Sequence, residues 1–574
     1  MNFKQSDLQN NLNLALSYLE KNNFEKASNI YKKIIKKYPN NFDANFNLGT
    51  IYAKNNNLEK SVILLEKASA INPNNESTYN NLGLIYLNLG NNEKALEKSK
   101  KAISINPNSS IAYSHLGIIY SNLGNVNAAT ESYLQAIKIN PKNTFANYNV
   151  GNLYKRINDI KNSEKYLNIT LELDPNHLPA YNNLLELYDI SNQNEKFEAL
   201  INQAEKNFEQ NPTIILFKAK LFYKLKKFKA VVEILENVKF DSDENFKEDS
   251  RLELIAKSYD QVGNYKNAYY FFEQTNNQKI INDKNNANKE VYLDIIKKRI
   301  NYFSKFNNQD WKTEKNENKF KDPVFLIGFP RSGTTLLDTI LRSHPSVDVI
   351  EEIPIIDKFV NKLEKKIDSE FKNLNSISSS LRKEMRNFYF DQRNKYLNNN
   401  NNNKKTVVID KMPLNIIYVA EIFRFFPKAK FIFALRHPCD CVLSCFMQNF
   451  LVNHAMANFL NLKDAAKMYD LVMNLWQIYT NKFSINYHIT KYEDLVSNFK
   501  KSVLDILSFL DLSWSDEVSE FYKTSQKRGM ISTPSYNQVS QPIYTKSIGR
   551  WKNYENELTE GKTFLENWIK KYDY

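Results

Sequence analysis

Cysteine is scarce in this chain: three in 574 residues, Cys439, Cys441 and Cys445, all inside one seven-residue stretch. Three neighbours cannot build a disulfide framework, which excludes the disulfide-stapled secreted class and points to a reducing compartment. With His437 beside them, the spacing Cys-x-Cys-x3-Cys admits a metal cluster. The same residues also fall on an apolar helix, where cysteine serves as a small core residue, and no metal site is expected. Long apolar runs are missing too: no stretch of 18 apolar residues occurs, and Met1 to Asp7 contains neither an apolar core nor a cleavage site. No membrane span or secretory leader is expected, and the protein is expected to be soluble and cytoplasmic. Negative charge is in deficit, with 78 Lys and Arg against 64 Asp and Glu, a formal net charge of +14. That balance suits an anionic nucleotide or an acidic partner, although a Lys-, Asn- and Ile-heavy composition raises the charge by itself. No nucleic-acid partner is expected. The length exceeds one domain, and about two to four cores are the prior.

What the chain has in quantity is repetition. Pro39, Pro73, Pro107, Pro141 and Pro175 stand 34 residues apart. In the same register lie Gly49, Gly83, Gly117 and Gly151, then Tyr52, Tyr86, Tyr120 and Tyr154, and the small residues Ala27, Ser61, Ala95, Ala129 and Ser163. Small side chains let two helices approach closely, and proline ends each pair because it cannot continue a helix. A 34-residue period with Leu-Gly-x-x-Tyr, a later Ala or Ser and a closing Pro resembles the tetratricopeptide repeat (TPR). The resemblance implies an N-terminal α-solenoid of TPR helix pairs over residues 1–277, about seven or eight repeats with the last ones degenerate. Such an array implies either a groove for a protein partner or a scaffold arm. Asn45, Asn47, Asn80, Asn81, Asn147, Asn149, Asn182 and Asn183 recur near the Leu-Gly position, as donors to a guest backbone or as solvated filler. From 278 to 320 the pattern dissolves into a polar linker with one expected helix, Val291 to Phe303. The six asparagines 398–403 are too polar for a core and are expected in a surface loop before a strand at Thr406 to Ile409.

Residues 321–574 carry the chemistry. The apolar run Val324 to Phe329 breaks into Pro330-Arg331-Ser332-Gly333-Thr334-Thr335 and resumes with helical spacing through Leu336, Leu337, Ile340 and Leu341. A strand, tight loop and helix start aim backbone N–H groups and the positive end of a helix at one point. Here a guanidinium and three hydroxyls join them, so the natural occupant is a phosphate-like anion. The loop is P-loop-like, with four residues between Gly328 and Gly333. It has Thr334 and Thr335 where a nucleotide P-loop needs Lys followed by Ser or Thr. A kinase or NTPase, the runner-up among enzymes, is disfavoured by that missing Lys.

This loop resembles the first signature of the sulfotransferase family, a Pro-Arg-Ser-Gly-Thr-Thr segment that holds the 5′-phosphosulfate of PAPS (3′-phosphoadenosine 5′-phosphosulfate). A transferring sulfuryl group carries less charge than a γ-phosphoryl group, so backbone, Arg and Lys donors can stabilise its transition state without a metal. The resemblance continues in family order. Counting 21 positions from Arg331 lands on Glu352, where the protein-tyrosine branch of the family has the base that deprotonates the acceptor hydroxyl. The residues alone also admit Glu351 and Glu352 as solvent-facing. Lys411, in Asp410-Lys411-Met412-Pro413, matches the lysine that contacts the bridging and sulfuryl oxygens. Arg436, at the end of Lys430 to Arg436, and Ser444 eight residues on match the pair that binds the 3′-phosphate. Tyr492, in Tyr492-Glu493-Asp494-Leu495, matches the tyrosine near the adenine. Ser535 and Arg550 fall in segments resembling the C-terminal loop that closes over the nucleotide.

The resemblance therefore implies an α/β domain with a central parallel sheet. It implies Glu352, Lys411 and Arg331 as catalytic residues. PAPS or PAP would be held by Arg331, Ser332, Gly333, Thr334, Thr335, Arg436, Ser444, Tyr492, Ser535 and Arg550. The acceptor stays open: a peptide tyrosine presented by the repeats, a sugar hydroxyl or a small phenol all present an O–H group. A TPR adaptor with an inactive nucleotide-binding domain is the alternative from another class.

Overall fold

The computed structural model describes residues 2–240, 245–283, 286–307, 311, 322–367, 371–397, 407–523, 543 and 545–574. These form two compact units, Met1–Leu221 and Phe222–Tyr574.

The first unit is a run of helix pairs. After the opening helix, Asn2–Glu20, its helices from Phe24–Lys37 to Leu178–Ile190 are each 13 or 14 residues long. The glycine column explains how closely the paired helices lie. A Cβ on Gly49, Gly117 or Gly151 would come within 2.6–2.9 Å of Leu65, Tyr133 or Leu167 on the partner helix. The small column is fully buried at Ala27, Ser61, Ala95, Ala129 and Ser163, and the Ser61 hydroxyl donates to the Gly49 carbonyl at 2.7 Å. Asn22, Asn56, Gly90, Gly124, Asn158 and Asn192, again 34 residues apart, take the left-handed backbone that the turn within each pair requires. Asparagine and glycine pay little for that conformation. Asparagine also caps helices: Asn41, Asn75 and Asn143 accept the N–H three residues on. The interior asparagines are likewise used by the chain itself. Asn45 donates to the Pro39 and Asn41 carbonyls, and Asn147 to those of Pro141 and Asn143.

The second unit is built on five parallel strands in the order β2-β3-β1-β4-β5: β1 Val324–Gly328, β2 Val347–Glu351, β3 Val407–Lys411, β4 Lys430–Leu435 and β5 Asn486–Lys491. β1 is central and wholly buried, as its unbroken apolar run requires of a strand covered on both faces. Its side chains alternate between two cores. Val324 and Leu326 join Leu337, Ile340, Ile409, Ile432 and Ile506 on one side. Phe325 and Ile327 join Phe431, Phe433, Tyr389 and Trp476 on the other.

Three helices that precede the sheet pack inside this unit: Asn245–Gln261, Tyr265–Asn282 and Lys289–Ser304. The first two carry the sequence read as degenerate repeats. The third is the helix expected at Val291 to Phe303, and its Leu293, Ile296 and Phe303 are buried in the β1 core. Arg299 on this helix reaches Glu421 at 2.6 Å in a fully buried ion pair. Asn276 donates to the Phe446 carbonyl at 3.0 Å. Repeat pattern and compactness thus divide the chain at different residues, 277 and 221. The six asparagines 398–403 lie outside the described residues. Among the described residues, no helix is long and apolar enough to cross a membrane.

Candidate functional site

All five strands are parallel, so their carboxyl ends share one edge of the sheet. In an open α/β sheet a ligand binds outside those ends, where the strand order reverses. Here that place is β1, flanked by β3 and β4. The residues singled out from the sequence follow strand by strand: Arg331 to Thr335 after β1, Glu352 after β2, Lys411 closing β3, Arg436 after β4 and Tyr492 after β5.

At the β1–β4 side the arrangement suits an anion. Arg331 has a left-handed backbone, φ 69°, uncommon for a residue with a side chain. Its Nε donates to the Ser444 hydroxyl at 3.0 Å. Gly333 has φ 96°, and a Cβ there would sit 2.8 Å from the Tyr492 ring, so the loop lies directly on that ring. The helix Thr334–Arg342 then starts with no side chain capping its first amides. The Ser332 hydroxyl is buried without a partner. Arg436 is buried, with its guanidinium 4.9 Å from the Tyr492 ring centre. It donates to the Arg331 carbonyl at 3.2 Å and the Ser547 carbonyl at 2.5 Å, while its Nε has no partner. Neither bond reaches a carboxylate. A buried cation satisfied only by carbonyls is a place where an anion gains most from binding. Burial raises the Tyr492 hydroxyl above its ordinary range, so it stays a neutral donor.

At the β2–β3 side stand a cation and two acids. Lys411, fully buried, places its Nζ 2.7 Å from Glu352 and 3.4 Å from Glu351. Glu352 extends the strand pairing through its N–H, which donates to the Lys411 carbonyl at 2.8 Å. It too is left-handed, φ 52°, and its side chain is 39% exposed against 9% for Glu351. Glu352 is therefore the acid open to an incoming group, and Glu351 braces the lysine.

The three cysteines are free and buried in the helix Pro438–Phe446. Burial pushes the Cys439 thiol up to about 12 and raises those of Cys441 and Cys445 as well, so all three stay protonated. The Cys445 thiol lies 3.3 Å from the Pro330 carbonyl, bracing the loop from behind.

One expected member is not brought to this edge. The Arg550 guanidinium pairs with Asp260 at 2.8 Å, on the helix Asn245–Gln261, and that acid holds its charge against the opposing effect of burial. Ser535 lies outside the described residues. Sequence inspection assigned no role at the site to Glu351, Ser547 or Asp440. Glu351 sits beside Lys411; Ser547 offers only its carbonyl, which no motif encodes; Asp440 stands four residues after Arg436, a spacing that could have flagged it.

Residues 323–516 match the sulfotransferase family, and four stretches between residues 12 and 177 match tetratricopeptide repeats. An uncharacterized protein of Aquifex aeolicus is 30% identical over 261 residues, 44% of this chain and 33% of that protein. The protein-tyrosine sulfotransferase of Drosophila melanogaster is 24% identical over 40% of this chain and 46% of its own length. Protein-tyrosine sulfotransferase 1 of Danio rerio is 22% identical over 41% of this chain and 66% of its own length. The chain thus spans from a third to about two thirds of these relatives.

Proposed function

We propose that this chain, a run of TPR helix pairs joined to a sulfotransferase-family domain, transfers a sulfuryl group from PAPS to a hydroxyl acceptor. The observation that carries the reading is Arg436, a buried guanidinium bonded, among the described residues, only to carbonyls, and set across β1 from the Lys411–Glu352 pair. Arg436 and Ser444 would hold the 3′-phosphate. Arg331, Ser332, Gly333, Thr334 and Thr335 would hold the 5′-phosphosulfate, with Tyr492 beside them. The orphaned Ser332 hydroxyl and Arg436 Nε fit such an anionic guest. PAPS, when bound, supplies the sulfuryl group and a phosphate leaving group.

The chain supplies the rest. Glu352, exposed at the mouth, takes the hydroxyl proton of the acceptor as its oxygen bonds to sulfur. Lys411 already stands 2.7 Å from that carboxylate, so base and cation face the same space. As Glu352 gains the proton, Lys411 loses the nearer of its two countercharges and can stabilise the negative charge that develops on the departing oxygen. The left-handed backbones of Arg331 and Glu352 are the strain expected where side chains are held for a reaction.

A peptide tyrosine is the acceptor that the names of the fly and zebrafish relatives favour, and the repeats would present it. The buried free thiols suit a reducing compartment such as the cytoplasm. Thermal melting tests the nucleotide assignment. Adenosine 3′,5′-bisphosphate (PAP) should raise the melting temperature and ATP with Mg²⁺ should not, since only a ligand of the folded site stabilises it. Stabilisation by ATP alone would overturn the assignment. A chain lacking residues 1–221 should keep PAP binding and transfer to a small phenol but lose transfer to the polypeptide acceptor. Undiminished polypeptide transfer would make the repeats a scaffold arm.

A further inference from the structure

Asp440 lies in the first turn of the helix Pro438–Phe446, where a carboxylate ordinarily serves the helix's own amides. That task belongs to His437, whose Nδ1 accepts the Cys439 N–H at 3.2 Å. The Asp440 oxygens turn instead to distant backbone. Oδ2 accepts the Gly549 N–H at 2.8 Å and Oδ1 the Trp551 N–H at 2.9 Å. Gly549 has φ 68°, the left-handed conformation that lets both amides face one carboxylate. The Trp551 ring stacks on His437, with centres 5.0 Å apart. The same short segment is gripped from its other side by Asp260, which receives Arg550 at 2.8 Å and the Tyr554 hydroxyl at 2.6 Å. Both acids are buried. Just upstream, the Ser547 carbonyl meets one terminal nitrogen of Arg436 while the Arg331 carbonyl meets the other.

We propose that Asp440 and Asp260 are positioning residues: a two-point clasp that seats the segment 545–554 on Arg436 and so aims the free edge of that guanidinium at the 3′-phosphate. The proposal rests on the nucleotide assignment above. Two charge-assisted bonds to Asp440 fix the backbone on one side. Asp260 fixes it on the other, from a helix that precedes the whole sheet. Held by two carbonyls, Arg436 cannot swing, and its unpartnered Nε keeps one direction. An anion-binding group fixed before the ligand arrives loses less freedom on binding. The clasp therefore acts on nucleotide affinity and leaves the chemistry at Glu352 alone.

The test uses the full-length chain with Asp440→Asn, which keeps the size but sets an amide NH₂ against one of the two backbone N–H groups. Calorimetric titration compares PAP with adenosine 5′-monophosphate, which lacks the 3′-phosphate. The expected result is PAP affinity about tenfold lower, the effect of one misplaced buried hydrogen bond, with monophosphate affinity unchanged. The PAPS KM should rise by a similar factor while kcat holds. Asp260→Asn should act in the same direction. It also serves as the test if Asp440→Asn does not fold. An unspecific loss of stability would weaken both nucleotides alike and overturn the proposal, as would an unchanged PAP affinity. If the wild-type chain ignores PAP, the nucleotide assignment falls by itself. Amide exchange at Gly549 and Trp551 then judges the clasp: faster exchange in Asp440→Asn sustains it and unchanged exchange refutes it.

Discussion

Replacing Asp410 by asparagine should stabilise the second unit at neutral pH and erase a pH dependence that this carboxyl imposes. Asp410 stands in β3 beside Lys411 and is buried. Its Oδ2 accepts the Tyr389 hydroxyl at 3.2 Å, and its Oδ1 has no partner. Burial pushes the group up to about 7; Tyr389 and Arg393 draw it down and Asp357 adds to the rise. An unfolded aspartate titrates near 3.9. Between about pH 4 and 7 the folded state therefore holds a proton that the unfolded state has lost, so stability falls as pH rises through that window. Three pKa units at 1.36 kcal/mol each set the loss at about 4 kcal/mol at most. Asparagine mimics the neutral acid and keeps an oxygen for Tyr389. Urea unfolding of the full chain at pH 5 and pH 8, followed by the fluorescence of buried Trp476, measures the effect. The variant should be about 1.5 kcal/mol more stable than wild type at pH 5 and about 4 kcal/mol more stable at pH 8. A variant equally destabilised at both pH values would refute the reasoning, because it would mean that Asp410 is held as a paired carboxylate.

Gly117→Ala should destabilise the repeats by about 1–3 kcal/mol, because the added Cβ meets three ring carbons of buried Tyr133 at 2.6–2.8 Å. Gly83→Ala meets the Ser99 hydroxyl, which can rotate away, and should cost less; a circular-dichroism melt in which the two variants coincide would contradict the packing argument. Glu421→Gln should cost about 3–5 kcal/mol by stranding Arg299, which lies 4.8 and 4.9 Å over the Phe371 and Tyr418 rings. The double variant Arg299→Met/Glu421→Leu should recover much of that loss in chemical denaturation, and no recovery would mean that the ion pair itself is the main stabilising contact.

The repeats and the central strand were legible because their signals are local. A glycine at every 34th residue marks a helix crossing, and an unbroken apolar run marks a strand covered on both faces. The strand-end cations Lys411 and Arg436 were legible for the same reason: each closes its own strand, and the fold then gathers the strand ends. What local pattern cannot carry is pairing across the chain. Arg550 read as a phosphate ligand because its segment resembles the family's C-terminal closing loop, but its partner Asp260 lies on a helix read as a degenerate repeat. The helices between 245 and 282 read as a repeat, and the one from 289 to 304 as a linker helix, because a helical hairpin has one hydrophobic pattern whatever it packs against. Only the buried contacts of Arg299 and Asn276 show which core they join. The left-handed column from Asn22 to Asn192 escaped notice because two residue types share it.

Sulfuryl transfer from radiolabelled PAPS to a panel of tyrosine peptides, glycans and phenols tests the central claim most directly, with wild type, Lys411→Ala and Glu352→Gln run side by side. Wild type should label at least one acceptor. Lys411→Ala should lower turnover at least about a hundredfold, as loss of a preorganised charge at a developing anion does. Glu352→Gln should lower turnover without weakening PAP binding. A wild-type chain that binds PAP yet labels nothing, or a Glu352→Gln enzyme that turns over as fast as wild type, would contradict the account.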